Sequence, residues 1–276
     1  MATDAVSGEP IEEGPITGSR DLLNRFGIDN SQFARLSDHQ PFGSDDEETT
    51  LRVMYRLDRF RVVDVERWAH PQFDIAEVFS APAASRGELF WLAGRVTKIE
   101  RLEPPPEVAE RFDLPAFYRC TMMLEPRNQP AQVLVRHIPI EWKIQEGPVN
   151  ERASAYGIFL KFGGHDVEDA MPVFVTPHMA YYPSTLLGDL GMDVGLFEDI
   201  QNRRPLTAED REAFYQLLAA AGRAKPGQLH QAAQQGLAKA TDLTAWTDRQ
   251  GNRRWSVVPL FNEASRQHGV LVELEG

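Results

Sequence analysis

The chain has 276 residues, of which 42% are hydrophobic and 25% charged, so it can bury one large core or two smaller ones. Its formal net charge of −12 disfavours a general attraction to nucleic acid or to anionic lipid. The single cysteine, Cys120, excludes an internal disulfide and a zinc site built from several cysteines.

No targeting segment is predicted. The chain contains no apolar run that approaches the roughly 20 residues needed to span a bilayer. Its first residues are acidic and lack the apolar stretch of a secretory signal. We therefore expect a soluble chain without a membrane segment, and the sequence assigns it to no compartment.

The first quarter of the chain is predicted to be helical after a disordered start. Residues 1–16 are rich in Gly, Pro, Glu and Ser, a composition typical of disorder. Residues 17–70 form the predicted N-terminal helical region. Ser44 and Glu47 have the spacing of a capping box, so a helix is expected over 45–60. The acidic residues at its start are predicted to be a solvated helix cap rather than a metal site.

From residue 87 the hydrophobic period changes from helical to alternating, which predicts β-strands. Three strands, a helical or turn connector and two more strands follow, which is the order of a five-stranded OB-type barrel. We therefore predict an OB-like β-barrel over 71–185. A plain five-stranded sheet with one helix is the alternative.

The last third of the chain begins with residues 186–205, an acidic segment that we predict to be a linker. A second helical region starts at 206 and extends, with the start of another module, to 276. Its first helix is capped by Thr207 and stops at Gly222. The expected fold is therefore α+β: a helix pair, a five-stranded OB-like barrel, and a second helix pair that leads into one more strand.

The chain also contains a predicted internal repeat. Residues 73–94 align without a gap with residues 255–276, and five of the 22 positions are identical. The identities include Gly87 with Gly269, and both copies follow a helix pair. We predict that the tail is the truncated first strand of a second OB-like module, so that the chain is a fragment of a longer protein.

Four segments carry a family resemblance: "LAGRVTKIERLE", "YGIFLKF", "PVFVTPHMAYYP" and "WSVVPLFNEASRQHG". They resemble segments of bacterial proteins that are built from tandem OB-like modules and to which no activity is assigned. The resemblance covers roughly residues 45–276. It implies a tandem OB-like architecture and a parent protein in which a membrane-spanning helix can follow the second module. It implies no catalytic residue.

Catalytic and metal-binding patterns are sparse. No two of the seven histidines have HxxxH or HxH spacing, and His165, Asp166 and His178 are the best candidates for a metal or hydrolase site. A polar loop is the preferred interpretation of these three. Cys120 falls on the inward phase of its strand, where a thiol is inert. We predict no catalytic residue, no cofactor and no metal.

Two sets of residues are candidate interaction surfaces. Arg95, Arg119 and Arg136 take the outward phases of three strands, and OB barrels often bind single-stranded nucleic acid on such a face. Most strand aromatics take the inward phase instead, so solvated outer arginines are favoured and nucleic acid is not an expected partner. The second set follows the last predicted strand and is expected to cover one barrel end or to pack on a partner: Met179, Tyr181 and Tyr182.

The function that best fits these observations is a non-catalytic one. We expect an OB-like scaffold or protein-interaction module within a larger envelope or membrane-associated protein. Its partner would be another protein, or the missing second module of the same chain. The alternative is a single-stranded nucleic-acid-binding OB domain that uses the outer arginine face.

Overall fold

A computed structural model describes residues 15–144, 149–164, 169–208, 210–241, 244–262 and 267–274. The helices of the described residues are α1 (Ser19–Arg25), α2 (Asn30–Phe33), α3 (Ser44–Leu57), α4 (Val62–Trp68), α5 (Ile75–Ser80), α6 (Pro82–Ser85), α7 (Pro106–Phe112), α8 (Ile140–Ile144), α9 (Leu186–Asp189), a 3-10 helix (Val194–Asp199), α10 (Arg211–Arg223), α11 (Gln228–Lys239) and α12 (Val258–Asn262). The strands are β1 (Leu89–Leu102), β2 (Phe117–Leu124), β3 (Gln129–His137), β4 (Glu151–Gly163), β5 (Met171–His178), β6 (Ala180–Tyr182), β7 (Ala245–Thr247) and β8 (Arg253–Trp255).

The first six strands form one sheet in the order β1-β2-β3-β5-β4-β6. Because β1 pairs with both β2 and β4, this sheet closes partly into a ring. Its neighbouring strands are antiparallel except for β3 and β5, which are parallel. The predicted α+β class is confirmed. The predicted count of five strands is corrected to six, because β6 forms an additional short strand beside β4.

The strand β1 is long and bent, so it can pair with both β2 and β4. Its pairing with β2 shifts register between Val96 and Lys98, a β-bulge of the kind that bends a strand. Gly94 lies two residues before Val96 and pairs with Leu124 on one side and Ala153 on the other. A Cβ at Gly94 would lie 2.0 Å from the carbonyl oxygen of Met123, so a larger residue does not fit at this position.

The interior of the ring is filled by apolar side chains. Phe159 and Phe174 are fully buried there, with ring centroids 5.8 Å apart. Phe73, which precedes α5, packs edge-on to Phe174 at 5.0 Å. The inward phases of the strands add Cys120 and Met122, both fully buried. The ring is therefore a packed core.

A second core lies between the outer face of the sheet and the N-terminal helices. Leu51 and Met54 of α3 are fully buried in one cluster with Ile158 and Val175. The predicted helix over 45–60 thus corresponds to α3, and its apolar stripe covers the outer face of β4 and β5.

A buried ion pair ties α3 to the sheet. Lys161 of β4 is 1% exposed, and its ammonium group lies 2.8 Å from the carboxylate of Asp46. The same carboxylate accepts a hydrogen bond from the backbone N–H of Gly43 at 3.1 Å. The N-cap of α3 is therefore Gly43, and Asp46, not the predicted Glu47, reaches back to the N-cap backbone.

The segment predicted to be an acidic linker is largely folded. It contains α9 and the 3-10 helix, and both pack against β6. Residues 190–193 and 200–205 of this stretch form no helix or strand. The sequence did not indicate these helices because they have only four and six residues, too few for a hydrophobic period that a window could detect.

The C-terminal region contains the predicted second helix pair, as α10 and α11, followed by the β7–β8 hairpin. The predicted final strand is not formed, since residues 270–274 contain no strand and 275–276 lie outside the described residues. An extended segment becomes a strand only where a neighbouring backbone pairs with it. In place of a strand partner, Glu273 contacts the side chain of His230 on α11 at 3.0 Å.

Candidate functional site

The residues that we expected to form an interaction surface after β5 are mostly buried. Met179 is 3% exposed and Tyr181 is 8% exposed, so neither presents a free face. The ring of Tyr181 packs edge-on to Trp142 of α8 with centroids 5.3 Å apart. The hydroxyl of Tyr182 lies 3.0 Å from that of Ser154 on β4. Met179 and Tyr181 belong to the apolar cluster that fills the ring.

Asp193 fixes the chain around Tyr181. Its carboxylate, in a residue only 5% exposed, accepts hydrogen bonds from the backbone N–H groups of Tyr181 at 2.8 Å and Gly195 at 3.0 Å. Its own N–H donates to the side chain of Gln216 on α10 at 3.0 Å. Burial raises the pKa of Asp193, although the two donated hydrogen bonds oppose that shift. The carboxylate of Asp193 thus joins β6 to the 3-10 helix, and its backbone N–H joins them to α10.

A cleft of about 630 Å³ opens beside Tyr181, between the end of the ring and residues 267–274. We call it the Tyr181 cleft. Its walls are largely apolar, and two carboxylates and an imidazole lie among them. The lining side chains used below are Ile140, Glu141, Phe197, Glu198, His268 and Val270.

The apolar side chains of the Tyr181 cleft are held by short elements with special backbone geometry. Phe197, on the 3-10 helix, lies with its ring centroid 6.0 Å from that of His268. Gly269 has a φ of 77°, and a Cβ there would lie 3.3 Å from the Phe197 ring. Ile140 and Val270 stand at the rim, 51% and 43% exposed. The cleft is therefore apolar and accessible.

The electrostatics of the Tyr181 cleft favour a cation. Burial raises the pKa of Glu198, and the neighbouring carboxylate of Glu141 raises it further. One oxygen of Glu198 accepts a hydrogen bond from the backbone N–H of Ile140 at 2.7 Å. Burial also raises the pKa of Tyr181 to about 12, so its hydroxyl stays neutral. A basic group placed between the two glutamates would relieve their mutual repulsion.

The three outer arginines do not form a shared free face. The guanidinium group of Arg95 donates to the side-chain and backbone oxygens of Asn150 at 2.8 and 2.7 Å. Arg119 lies 3.0 Å from the carboxylate of Glu100 on the next strand. Arg136 lies 2.6 Å from the carboxylate of Asp58 and ties the sheet to the end of α3.

The residues considered for metal or thiol chemistry are His165, Asp166, His178 and Cys120. His165 and Asp166 lie outside the described residues, and His178 pairs in register with His137 across β3 and β5. Within the described ranges no three His, Cys, Asp or Glu side chains are grouped so that they could hold a metal ion. Burial raises the pKa of Cys120 to about 12, as its predicted place in the core requires.

Exposed apolar side chains concentrate near the C-terminus. Of the thirteen large exposed hydrophobic residues among the described residues, ten lie within 206–274. They are Leu206, Phe214, Tyr215, Leu218, Trp246, Val257, Val258, Phe261, Val270 and Leu274. Exposed apolar area of this density marks a contact surface more often than a solvated one.

Comparison with other proteins places the chain in no family: no family model, no curated protein and no solved structure matches it. None of the helices in the described part of the chain combines the length and the apolar content that crossing a bilayer requires.

Several residues of the Tyr181 cleft escaped the sequence analysis. Glu198 and Phe197 lie in the segment interpreted as a linker, and Ile140 lies in a connector that showed no period. The one available signal was composition: an acidic stretch interrupted by Phe197 and flanked by valine and isoleucine. Tyr181 was identified as a candidate, and it lines the cleft.

Proposed function

We propose that this chain is a non-catalytic protein-interaction module whose framework is an OB-like barrel. The ring order β1-β2-β3-β5-β4, with β4 returning to β1, is the strand order of a five-stranded OB barrel. The helix α8 lies between β3 and β4, where we expected the connector. The barrel interior is filled with side chains, so binding takes place on its outside.

The observation that carries this proposal is the Tyr181 cleft beside an exposed apolar region. A cleft with apolar walls and a few polar groups is the usual form of a binding site. The cleft continues into residues 267–274, and the C-terminal region that contains them holds most of the exposed apolar side chains. A single partner could therefore cover both.

The partner that fits is a protein segment that combines apolar side chains with a lysine or arginine. Apolar side chains would cover Ile140, Phe197 and Val270. The basic group would lie near Glu141 and Glu198 and would lower the raised pKa of Glu198. The chain's net charge of −12 also favours a basic partner.

The repeat and the larger parent protein belong to this proposal as well. Gly269 has a φ of 77° and its aligned counterpart Gly87 has a φ of 84°, so the same left-handed turn occurs in both copies. The helix α12 falls at the position of α5 in the alignment. We infer that a second module of the same kind is one candidate source of the partner segment, within an envelope or membrane-associated protein.

The test is selection of binding peptides from a displayed random library with the full chain. We expect enrichment of peptides that carry apolar residues and at least one Lys or Arg. Combining Ile140→Ser with Glu198→Gln should weaken the selected peptides about tenfold or more, because both the apolar and the ionic contacts are lost. Val63→Ser, at a 70% exposed valine on α4, is the matched control and should change nothing.

Two outcomes would contradict the proposal. One is a library that yields no enriched peptides. The other is a set of peptides that bind the Ile140→Ser, Glu198→Gln variant as tightly as they bind the Val63→Ser control.

A further inference from the structure

A second cleft, smaller than the first, lies among the N-terminal helices. It has a volume of about 230 Å³ and opens between the end of α1, the outer side of α3 and the end of α7. Three guanidinium groups and three aromatic rings contribute to its lining: Arg52, Arg56, Arg111, Phe26, Tyr55 and Phe112. We call it the arginine cleft.

The sequence places these arginines together by simple helical geometry. Arg52 and Arg56 are four residues apart on α3, so they project from the same face of the helix. Arg111 belongs to the last turn of α7, which packs against α3 through a contact of Tyr55 with Phe112 at 5.9 Å. The three cations therefore share one opening.

The arginine cleft has more positive charge than its carboxylates neutralise. Glu48 is contacted by three guanidinium groups, those of Arg52 at 2.7 Å, Arg111 at 3.6 Å and Arg35 at 3.8 Å. Arg56 lies over the rings of Phe26 and Tyr55, at 5.3 and 5.5 Å, and has no carboxylate partner among the described residues.

Two carboxylates of the same helical region pair elsewhere. Asp46 pairs with the buried Lys161, and Asp58 pairs with Arg136. The Nε–H of Arg52 is buried and has no hydrogen-bond acceptor among the described residues. A buried donor of this kind costs free energy.

We propose that the arginine cleft binds a phosphate group. Guanidinium groups match the oxygens of a phosphate with paired hydrogen bonds, and arginines held over aromatic rings lose less freedom on making that contact. The volume of about 230 Å³ is below that of a pocket for a whole drug-sized ligand, so it takes the phosphate while the rest of the molecule extends into solvent.

The source of the phosphate group can be inorganic phosphate, a small phosphorylated molecule or a phospholipid headgroup, and the experiment distinguishes the three. The full chain is titrated calorimetrically with inorganic phosphate and with glycerol 3-phosphate, against sodium chloride of equal ionic strength. Flotation with phosphatidylcholine vesicles, with and without phosphatidic acid, gives the third arm. Binding in any arm that exceeds the chloride or phosphatidylcholine reference supports the proposal and identifies the source.

Variants locate the site. Arg56→Gln should weaken binding about tenfold, and Arg56→Lys should weaken it less because the charge remains while the paired hydrogen bonds are lost. Arg127→Gln, at an exposed arginine in the β2–β3 turn, removes the same charge elsewhere and should leave binding unchanged. Circular dichroism of each variant verifies that it is folded.

Three results would overturn the proposal: no binding above the reference in any arm, equal binding by wild type and Arg56→Gln, or an equal loss in Arg56→Gln and Arg127→Gln. Arg56→Lys keeps the test decisive if the glutamine variant does not fold, because full wild-type affinity of the lysine variant would also contradict a paired guanidinium contact.

Discussion

The ring and the C-terminal region differ sharply in how they use apolar residues. The ring buries large side chains, among them Phe159, Phe162 and Phe174, each at 0% exposure. Between 206 and 274 the buried apolar residues of the described chain are four alanines and Leu237. The larger apolar residues of that region, such as Phe214, lie on the surface.

This difference indicates which region supplies the stability of the fold. Buried apolar area contributes roughly 25 cal/mol per Å², and alanine offers little of it. The C-terminal region therefore depends on contacts beyond its own core, either with the ring or with a partner. Its contacts with the ring side include a small apolar cluster, in which Ala220 of α10 packs with Leu187 and Met192. Polar contacts add to it, such as that of Arg223 with the carbonyl oxygen of Leu190 at 2.6 Å.

The largest expected effect comes from making the same Phe→Ala change in the ring and on the C-terminal surface and comparing the free energies of unfolding. Phe174→Ala should reduce the free energy of unfolding by about 4 kcal/mol, because it leaves a cavity beside Phe73 and Phe159. Phe214→Ala, at a 47% exposed phenylalanine of α10, should change it by less than about 0.5 kcal/mol. Urea unfolding followed by circular dichroism measures both free energies of unfolding. Equal losses in the two variants would contradict the difference between the two regions.

The next largest effect concerns the buried ion pair between α3 and β4. Lys161→Met should cost about 3 kcal/mol, because it leaves the carboxylate of Asp46 buried without its partner. Adding Asp46→Leu should recover most of that loss, since the unpaired charge is then removed. A double variant as unstable as the single one, in the same urea experiment, would show that packing rather than charge causes the loss.

The strands and long helices could be predicted from the sequence because their hydrophobic periods extend over many residues. Alternation identified the strands up to His178, and the helical period identified α3, α10 and α11. The elements that prediction missed do not have such a period. The helix α7 begins within three consecutive prolines, a pattern that is typical of a loop, although a proline at the first turn is compatible with a helix.

The candidate site was less predictable than the fold. The pairing of β6 with β4 is a long-range contact, and no local pattern indicates that Tyr181 turns inward beside Trp142. The arginine cleft combines residues of three helices, and only the spacing of Arg52 and Arg56 could be seen in the sequence. Predictions about exposed surfaces fail in this way because exposure depends on what the rest of the chain covers.

A smaller effect is expected where β6 joins the ring. Tyr182→Phe removes the hydroxyl that lies 3.0 Å from that of Ser154, which is 2% exposed. The expected loss is about 1 kcal/mol, the usual contribution of one hydrogen bond whose partner stays buried. Ser154→Ala combined with Tyr182→Phe should cost no more than the single change. A double-variant loss equal to the sum of the two single losses would mean that the hydroxyls do not interact.

A substitution on the exposed face of α10 should change the free energy of unfolding even less. Leu218→Ser, at a leucine 53% exposed, should change the free energy of unfolding by less than about 0.5 kcal/mol. It should, however, reduce the fluorescence of a hydrophobic dye added to the folded protein, because it removes part of the apolar surface. Thr121→Ser, on the outer face of β2, is a control that should leave the dye signal unchanged.

The final prediction concerns Asp193, which bonds to both regions and whose pKa is raised by burial. The unfolded chain ionises this group first, so its contribution to folding is present below pH 3.8 and is lost as the pH rises through the raised pKa. Asp193→Asn keeps the acceptor for Tyr181 and Gly195, so its stability relative to wild type should increase with pH and then level off.

Asp64 gives the opposite sign and serves as the control. A hydrogen bond from Arg61 lowers the pKa of Asp64, so its contribution is present above the ordinary aspartate pKa and is lost as the pH falls. Asp64→Asn should therefore lose stability relative to wild type as the pH rises. Urea unfolding from about pH 3 to about pH 7 separates the two slopes. If the stability of both variants relative to wild type changed with pH in the same direction, the burial of Asp193 would not make the contact between the ring and the C-terminal region depend on pH.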